Sequence, residues 1–155
     1  MNENRYMHEY WIKVCLALGR EAGLAGNAPV GSVLVQDKVI IGEGREAGKT
    51  KNDVTCHAEI EAVRNAIRNG HSDLSGTIFY TTHEPCIMCA YVIRHYKISQ
   101  VVFGLEVPEI GGFSSAYPVL KATEMTRWGP VPEILSGILR EECEKLDQEF
   151  RNKMI

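Results

Sequence analysis

Short β-branched runs alternate with helix-periodic segments along this chain, and that alternation limits it to folds in which helices are layered against a sheet. From Tyr6 to Gly23, the residues Met7, Trp11, Val14 and Leu18 recur at helical spacing, and Gly23 and Gly26 mark the stop. Val30 to Val35 and Val39 to Ile41 flank the polar Gln36-Asp37-Lys38 and predict an antiparallel hairpin. After a polar loop, Cys56 to Asn69 sets Ala58, Ala62, Ala66 and Ile67 among charged residues, which predicts a helix beginning at His57 and closing at Gly70. A strand is expected over Thr77 to Thr81, a helix over Ile87 to His95 with Pro85 in its first turn, and a strand over Gln100 to Phe103. A last short strand near Glu133 to Leu135 precedes a helix capped by Ser136, with Leu139, Cys143, Leu146 and Phe150 as its inner stripe. Right-handed crossovers place helices on both faces of a mixed sheet, so the expected class is α/β, a three-layer α/β/α sandwich.

The length of 155 residues fits a single catalytic domain over 1–155, with no repeat or linker to divide it. A composition of 45% hydrophobic and 24% charged residues is ordinary for a soluble globular protein. No apolar run approaches the roughly 18 residues of a membrane span. The opening Met1-Asn2-Glu3-Asn4-Arg5 lacks the basic tip and apolar segment of a secretion signal, so a cytoplasmic protein is expected. A net charge of −3 and a pI near 6.0 supply no global attraction to nucleic acid, though a local basic patch is compatible with them.

Two motifs carry the chemistry. His57-Ala58-Glu59 opens one expected helix and Pro85-Cys86-Ile87-Met88-Cys89 opens the next. Residues three apart share a helix face, so Cys86 and Cys89 can both point at one ion, and the positive helix end favours their thiolates. With His57 they make three nitrogen and sulfur donors, a set suited to Zn2+, one ion per subunit; zinc sites with three protein ligands keep the fourth position for water or substrate. Glu59, beside such a site, is placed to move protons during attack on an sp² carbon and departure of its amino group. A Cys-x-x-Cys redox pair or a closed structural zinc site, with Cys56 or His83 as fourth ligand, would leave Glu59 without a role.

His-x-Glu followed by Pro-Cys-x-x-Cys is the signature of zinc nucleobase deaminases. The chain resembles the cytidine/deoxycytidylate deaminase superfamily, and within it the tRNA-specific adenosine deaminases and the related guanine or cytosine deaminases. The likeness extends to Pro29-Val30-Gly31-Ser32-Val33-Leu34-Val35, Ile41-Gly42-Glu43-Gly44, Glu84-Pro85-Cys86, Val101-Val102-Phe103-Gly104 and Gly137-Ile138-Leu139-Arg140-Glu141-Glu142-Cys143. It implies a five-stranded sheet, a homodimer or larger assembly, His57, Cys86 and Cys89 as zinc ligands, and Glu59 as proton shuttle. Glu46, Val30, Ala58 and His83 are the candidate substrate-binding residues, His83 being either a pocket residue or a histidine satisfied elsewhere.

Departures from that pattern suggest a substrate. Glu46 stands where the tRNA enzymes carry an asparagine, and an ionised carboxylate accepts hydrogen bonds without donating any, which favours a ring rich in N–H donors. Glu106 and Glu109 replace residues that tend to be basic, and Glu141 to Ile155 holds five acids and three bases. The expected activity is therefore hydrolytic deamination of a small nucleobase or nucleoside, a guanine-type purine favoured, with tRNA as a disfavoured partner. Wobble adenosine deamination in tRNA and a zinc-stabilised interaction protein without turnover are the alternatives. Phe113, Tyr117 and Trp128 are expected near the pocket rim, and Arg94, His95 and Lys97 form a small basic cluster at a helix end.

Overall fold

A computed structural model describes residues 3–151. Its elements are α1 (Glu3–Leu24), β1 (Gly31–Gln36), β2 (Val39–Arg45), α2 (Gly48–Lys51), α3 (Ala58–Arg68), β3 (Ile78–His83), α4 (Ile87–His95), β4 (Gln100–Leu105), β5 (Glu133–Leu135) and α5 (Arg140–Arg151). The five strands form one sheet in the order β2-β1-β3-β4-β5. β1 runs antiparallel to both neighbours, and β3, β4 and β5 are mutually parallel. The β1–β2 turn is tight because Asp37 and Lys38 both take positive φ, at 50° and 65°, the pattern of a two-residue turn that matches strand twist.

Successive strand residues point to opposite faces, and both faces are covered, which is why the strands read as continuous apolar runs. Leu34, Phe79, Val101 and Phe103 pack with Ala62, Val63 and Ala66 of α3 and Ala90 and Ile93 of α4. Val33, Val35, Tyr80 and Val102 pack on the other side with Trp11, Ile12, Cys15 and Leu18 of α1 and Cys143 of α5. Three layers result. At Gly44 the backbone of β2 lies so close to α3 that a Cβ would sit 2.1 Å from the Ala58 carbonyl oxygen. Only glycine permits that approach, and it fixes the first turn of α3, with His57 and Glu59, against the sheet.

Two expectations fail locally. Gly48–Lys51 forms a four-residue helical turn within the stretch read as loop. Ser136 does not cap the last helix: Gly137 and Leu139 take left-handed backbone at φ 81° and 53°, and α5 starts only at Arg140. Leu139 thus precedes the helix while still packing on its inner face. Part of the acidic tail, Asn152 to Ile155, lies outside the described residues, as do Met1 and Asn2. Among the described residues no helix is long and apolar enough to cross a membrane.

Candidate active site

The two motifs meet where α3 and α4 begin. His57 and Cys86 occupy the N-cap positions of α3 and α4 in extended backbone, at φ −67° and −72°, and neither side chain makes a capping hydrogen bond. Both are free to turn toward each other. His57 Nδ1 lies 3.5 Å from Cys86 Sγ and 3.5 Å from Cys89 Sγ, and the two sulfurs are 3.7 Å apart. Tetrahedral zinc, with bonds of about 2.3 Å to sulfur and about 2.05 Å to nitrogen, requires separations of about 3.8 Å and about 3.6 Å. The donors fit the ion. Among the described residues this is the one group of three or more histidine, cysteine or acidic donors drawn together closely enough to hold a metal, and neither Cys56 nor His83 joins it.

The electrostatics point the same way. Hydrogen bonding from Cys89 and proximity to His57 draw the Cys86 thiol down to about 4. The Cys86 contact pushes His57 up to about 9. Cys89 is displaced upward, chiefly by its hydrogen bond to Cys86 and by burial. Two thiolates this close repel one another unless a cation lies between them.

Glu59 stands next to this triangle. It is 4% exposed, its Oε2 is 3.5 Å from Cys89 Sγ, and its Oε1 accepts a hydrogen bond from Thr81 Oγ1 at 3.1 Å. Thr81 in turn accepts one from Ser32 Oγ at 2.9 Å. Burial is the main force raising the Glu59 carboxyl above the ordinary carboxylate range. A carboxyl raised in this way holds a proton more readily than an ordinary carboxylate, which suits a group that takes a proton and returns it.

Sequence reasoning missed Ser32, Thr81 and Glu84. The first two had a signal, since they are hydroxyls inside otherwise apolar central strands. Glu84 is 3% exposed and accepts N–H bonds from Val107 at 2.9 Å and from Phe113 and Ser114 at 2.8 Å. At Gly111 a Cβ would fall 1.9 Å from Glu84 Oε2, so the loop after β4 closes onto the carboxylate through a glycine.

The outer candidates are dispersed. A cavity of about 520 Å³ beside His57 is lined by Glu46, Gly48, Lys49, Asn52, Asp53 and Val54. Glu46 reaches it, yet its Oε2 accepts the Gly48 N–H at 2.9 Å and braces the turn into α2. Val30 and Ala58 do not line it: the Val30 carbonyl accepts the Glu46 N–H at 3.0 Å, and Ala58 is fully buried under β2. His83 turns to the far side, with its ring nitrogens 2.9 Å from Thr82 Oγ1 and 3.1 Å from Asp147 Oδ1 of α5. Phe113 packs on Phe103, and Trp128 is 9% exposed beneath Arg94; neither lines the cavity beside His57. Tyr117 is 65% exposed. Arg94 is buried, and its Nη1 donates to the carbonyls of Val119 and Ala122 at 2.8 Å each.

Residues 5–105 match the model of the cytidine and deoxycytidylate deaminase zinc-binding region. The tRNA-specific adenosine deaminase of Haemophilus influenzae is 37% identical over 148 residues, covering 94% of this chain and 84% of that protein. The protein of the same name from Buchnera aphidicola subsp. Schizaphis graminum is 36% identical over 155 residues, covering 99% of each. A solved structure from work on A-to-I editing by tRNA:A34 deaminases at the wobble position of transfer RNA superposes with a TM-score of 0.81 at 30% identity, covering 88% of this chain and 98% of that one. These likenesses overturn the preference for a small guanine-type substrate. At Glu46 the structure offers a second role that the sequence did not show, since its Oε2 accepts the Gly48 N–H and braces the turn into α2, so its presence does not by itself call for an N–H-rich ring.

Proposed function

Since the chain belongs to the cytidine and deoxycytidylate deaminase family, and so is a zinc-binding hydrolytic deaminase, we propose that its substrate is an adenosine carried by transfer RNA. In this reading one domain holds zinc through His57 Nδ1, Cys86 Sγ and Cys89 Sγ, and Glu59 moves the protons. The observation that carries the chemistry is the three-donor triangle with the Glu59 carboxyl 3.5 Å from one of its corners. Likeness to tRNA-specific adenosine deaminases over nearly the whole chain supports the substrate.

Zinc held there supplies a Lewis acid that makes water nucleophilic at neutral pH. Glu59 accepts the proton that water loses and returns a proton to the departing nitrogen, so that a C–O bond forms, the C–N bond breaks and ammonia leaves. Thr81 and Ser32 hold the carboxyl in line from the strands beneath. The cavity rim at Lys49, Asn52, Asp53 and Val54 is exposed, Val54 by 77%. Such a mouth suits a base presented on a large polymer, whereas a small free base needs enclosure.

The reading also includes a homodimer, supported by the apolar Ile87 and Tyr91 standing 37% and 53% exposed on α4, and a cytoplasmic location, where tRNA is used. The test measures inosine in an adenosine-bearing anticodon stem-loop alongside ammonia from free adenine, adenosine, guanine and cytosine. Turnover of the stem-loop alone is expected; turnover of a free base alone would sink the proposal.

A further inference from the structure

Segment 106–122 lies along α4 and is fastened near both of its ends. Near the start of α4, Glu84 gathers the N–H groups of Val107, Phe113 and Ser114. There the Gly112 N–H also donates to the Pro85 carbonyl at 2.8 Å, and Cys86 pairs with Gly111 in an isolated antiparallel bridge. Near the end of α4, the Arg94 guanidinium holds the carbonyls of Val119 and Ala122. The two fastenings are joined directly where the Leu120 N–H donates to the Gly112 carbonyl at 2.8 Å. Leu120 is fully buried, so this link does not move independently of the core.

Arg94 is an unusual residue for the task. It is 1% exposed, its Cζ lies 5.0 Å from the centroid of the Trp128 ring, and its Nε and Nη2 are buried without a hydrogen-bond partner. Burying a guanidinium with two donor atoms unmet is costly, and an apolar side chain of similar length would avoid that cost. A residue kept only for packing would not need the charge. What the charge provides here is a pair of strong hydrogen bonds from one nitrogen to two carbonyls of the same turn.

We propose that Arg94 is a positioning residue for the metal ligand Cys86, acting through Val119, Leu120, Gly112 and Pro85. This rests on the assignment of Cys86 as a zinc ligand. By pinning the turn at 119–122, Arg94 sets the depth at which Gly111 and Gly112 press on Pro85-Cys86, and hence where Cys86 Sγ points. Groups that orient a ligand without touching the metal commonly alter metal retention by about tenfold or more.

The experiment compares zinc-loaded wild type with Arg94→Met and Arg94→Lys. It measures release of zinc to an excess chelator, amide hydrogen exchange across 106–122, kcat and KM, and thermal melting. Arg94→Met is expected to melt close to wild type yet release zinc about tenfold faster, exchange faster at Gly111 and Gly112, and lose kcat with little change in KM. Arg94→Lys, which keeps a donor but not its geometry, should fall between. If Arg94→Met fails to fold, Arg94→Lys is compared with Glu84→Gln, which loosens the other fastening; the double variant should release zinc no faster than the worse single one. Wild-type zinc release and exchange in a folded Arg94→Met, or additive effects in the double variant, would overturn the proposal. Wild-type protein that binds no zinc would instead refute the underlying ligand assignment.

Discussion

Thr81 on β3 donates its hydroxyl hydrogen to Glu59 Oε1 on α3 across 3.1 Å, and so ties the proposed proton carrier to the sheet. That bond favours the ionised carboxylate, while burial favours the neutral acid and is the larger influence. Removing it in Thr81→Val lets burial act unopposed at that oxygen, and the carboxyl rises further. In the proposed reaction Glu59 must be ionised to accept a proton from water, so activity is expected to fall as pH drops through the carboxyl pKa. The acidic limb of kcat/KM against pH is therefore expected at higher pH in Thr81→Val. A limb unmoved, or moved to lower pH, would show that Thr81 does not set the charge of Glu59.

The donor triangle predicts a metal-dependent fold. Zinc that binds only the native state stabilises it by about 2.7 kcal/mol when free metal stands about 100-fold above Kd. Chelation should lower the melting temperature, and His57→Ala and Cys86→Ser should melt near the chelated wild type with little bound zinc. Stoichiometric zinc in both variants would place the metal elsewhere.

α5 is held to the end of β3 through His83 and Asp147. The His83 hydrogen bond is the main force keeping the Asp147 carboxyl below its ordinary 3.8, so folding favours the ionised form. Stability from this source is complete above about pH 5, well above the unfolded value, and is lost as pH falls through the lower, folded value. Asp147→Asn is expected to cost about 1 kcal/mol in urea unfolding at pH 7, with the gap to wild type closing toward pH 3. A gap that does not narrow in acid would rule out the ionised carboxylate as its source.

Glu46 serves the turn into α2 by accepting the Gly48 N–H. Gln at this position keeps an acceptor oxygen, so Glu46→Gln is expected to leave the ranking of substrates unaltered in an ammonia-release panel. A switch of preferred base would restore Glu46 to a role in selecting the ring.

The layers and the four central residues were legible because they depend on local order. Periodicity marks the long helices and the strands, and His57, Glu59, Cys86 and Cys89 lie within two helix-opening motifs, each short enough to be read locally. What escaped depends on partners distant in sequence. Trp128 and Phe113 sit in irregular segments, and only the fold shows that Arg94 covers one and Phe103 packs on the other. His83 continues a strand pattern, but α5 supplies the carboxylate that turns it away from the cavity. The misplaced cap at Ser136 has a local cause: the apolar spacing runs through Leu139, and periodicity is blind to the left-handed backbone there. Glu46 misled because its position relative to a pattern was read without the turn into α2, which its Oε2 braces.

The most direct test of the account is inosine formation in an adenosine-bearing anticodon stem-loop by wild type and Glu59→Gln, with zinc content measured on the same samples. Equal zinc is expected, with turnover in the variant reduced by about a thousandfold, within the range lost when a general acid–base is removed. Glu59→Gln that keeps its zinc and forms inosine at the wild-type rate would contradict it.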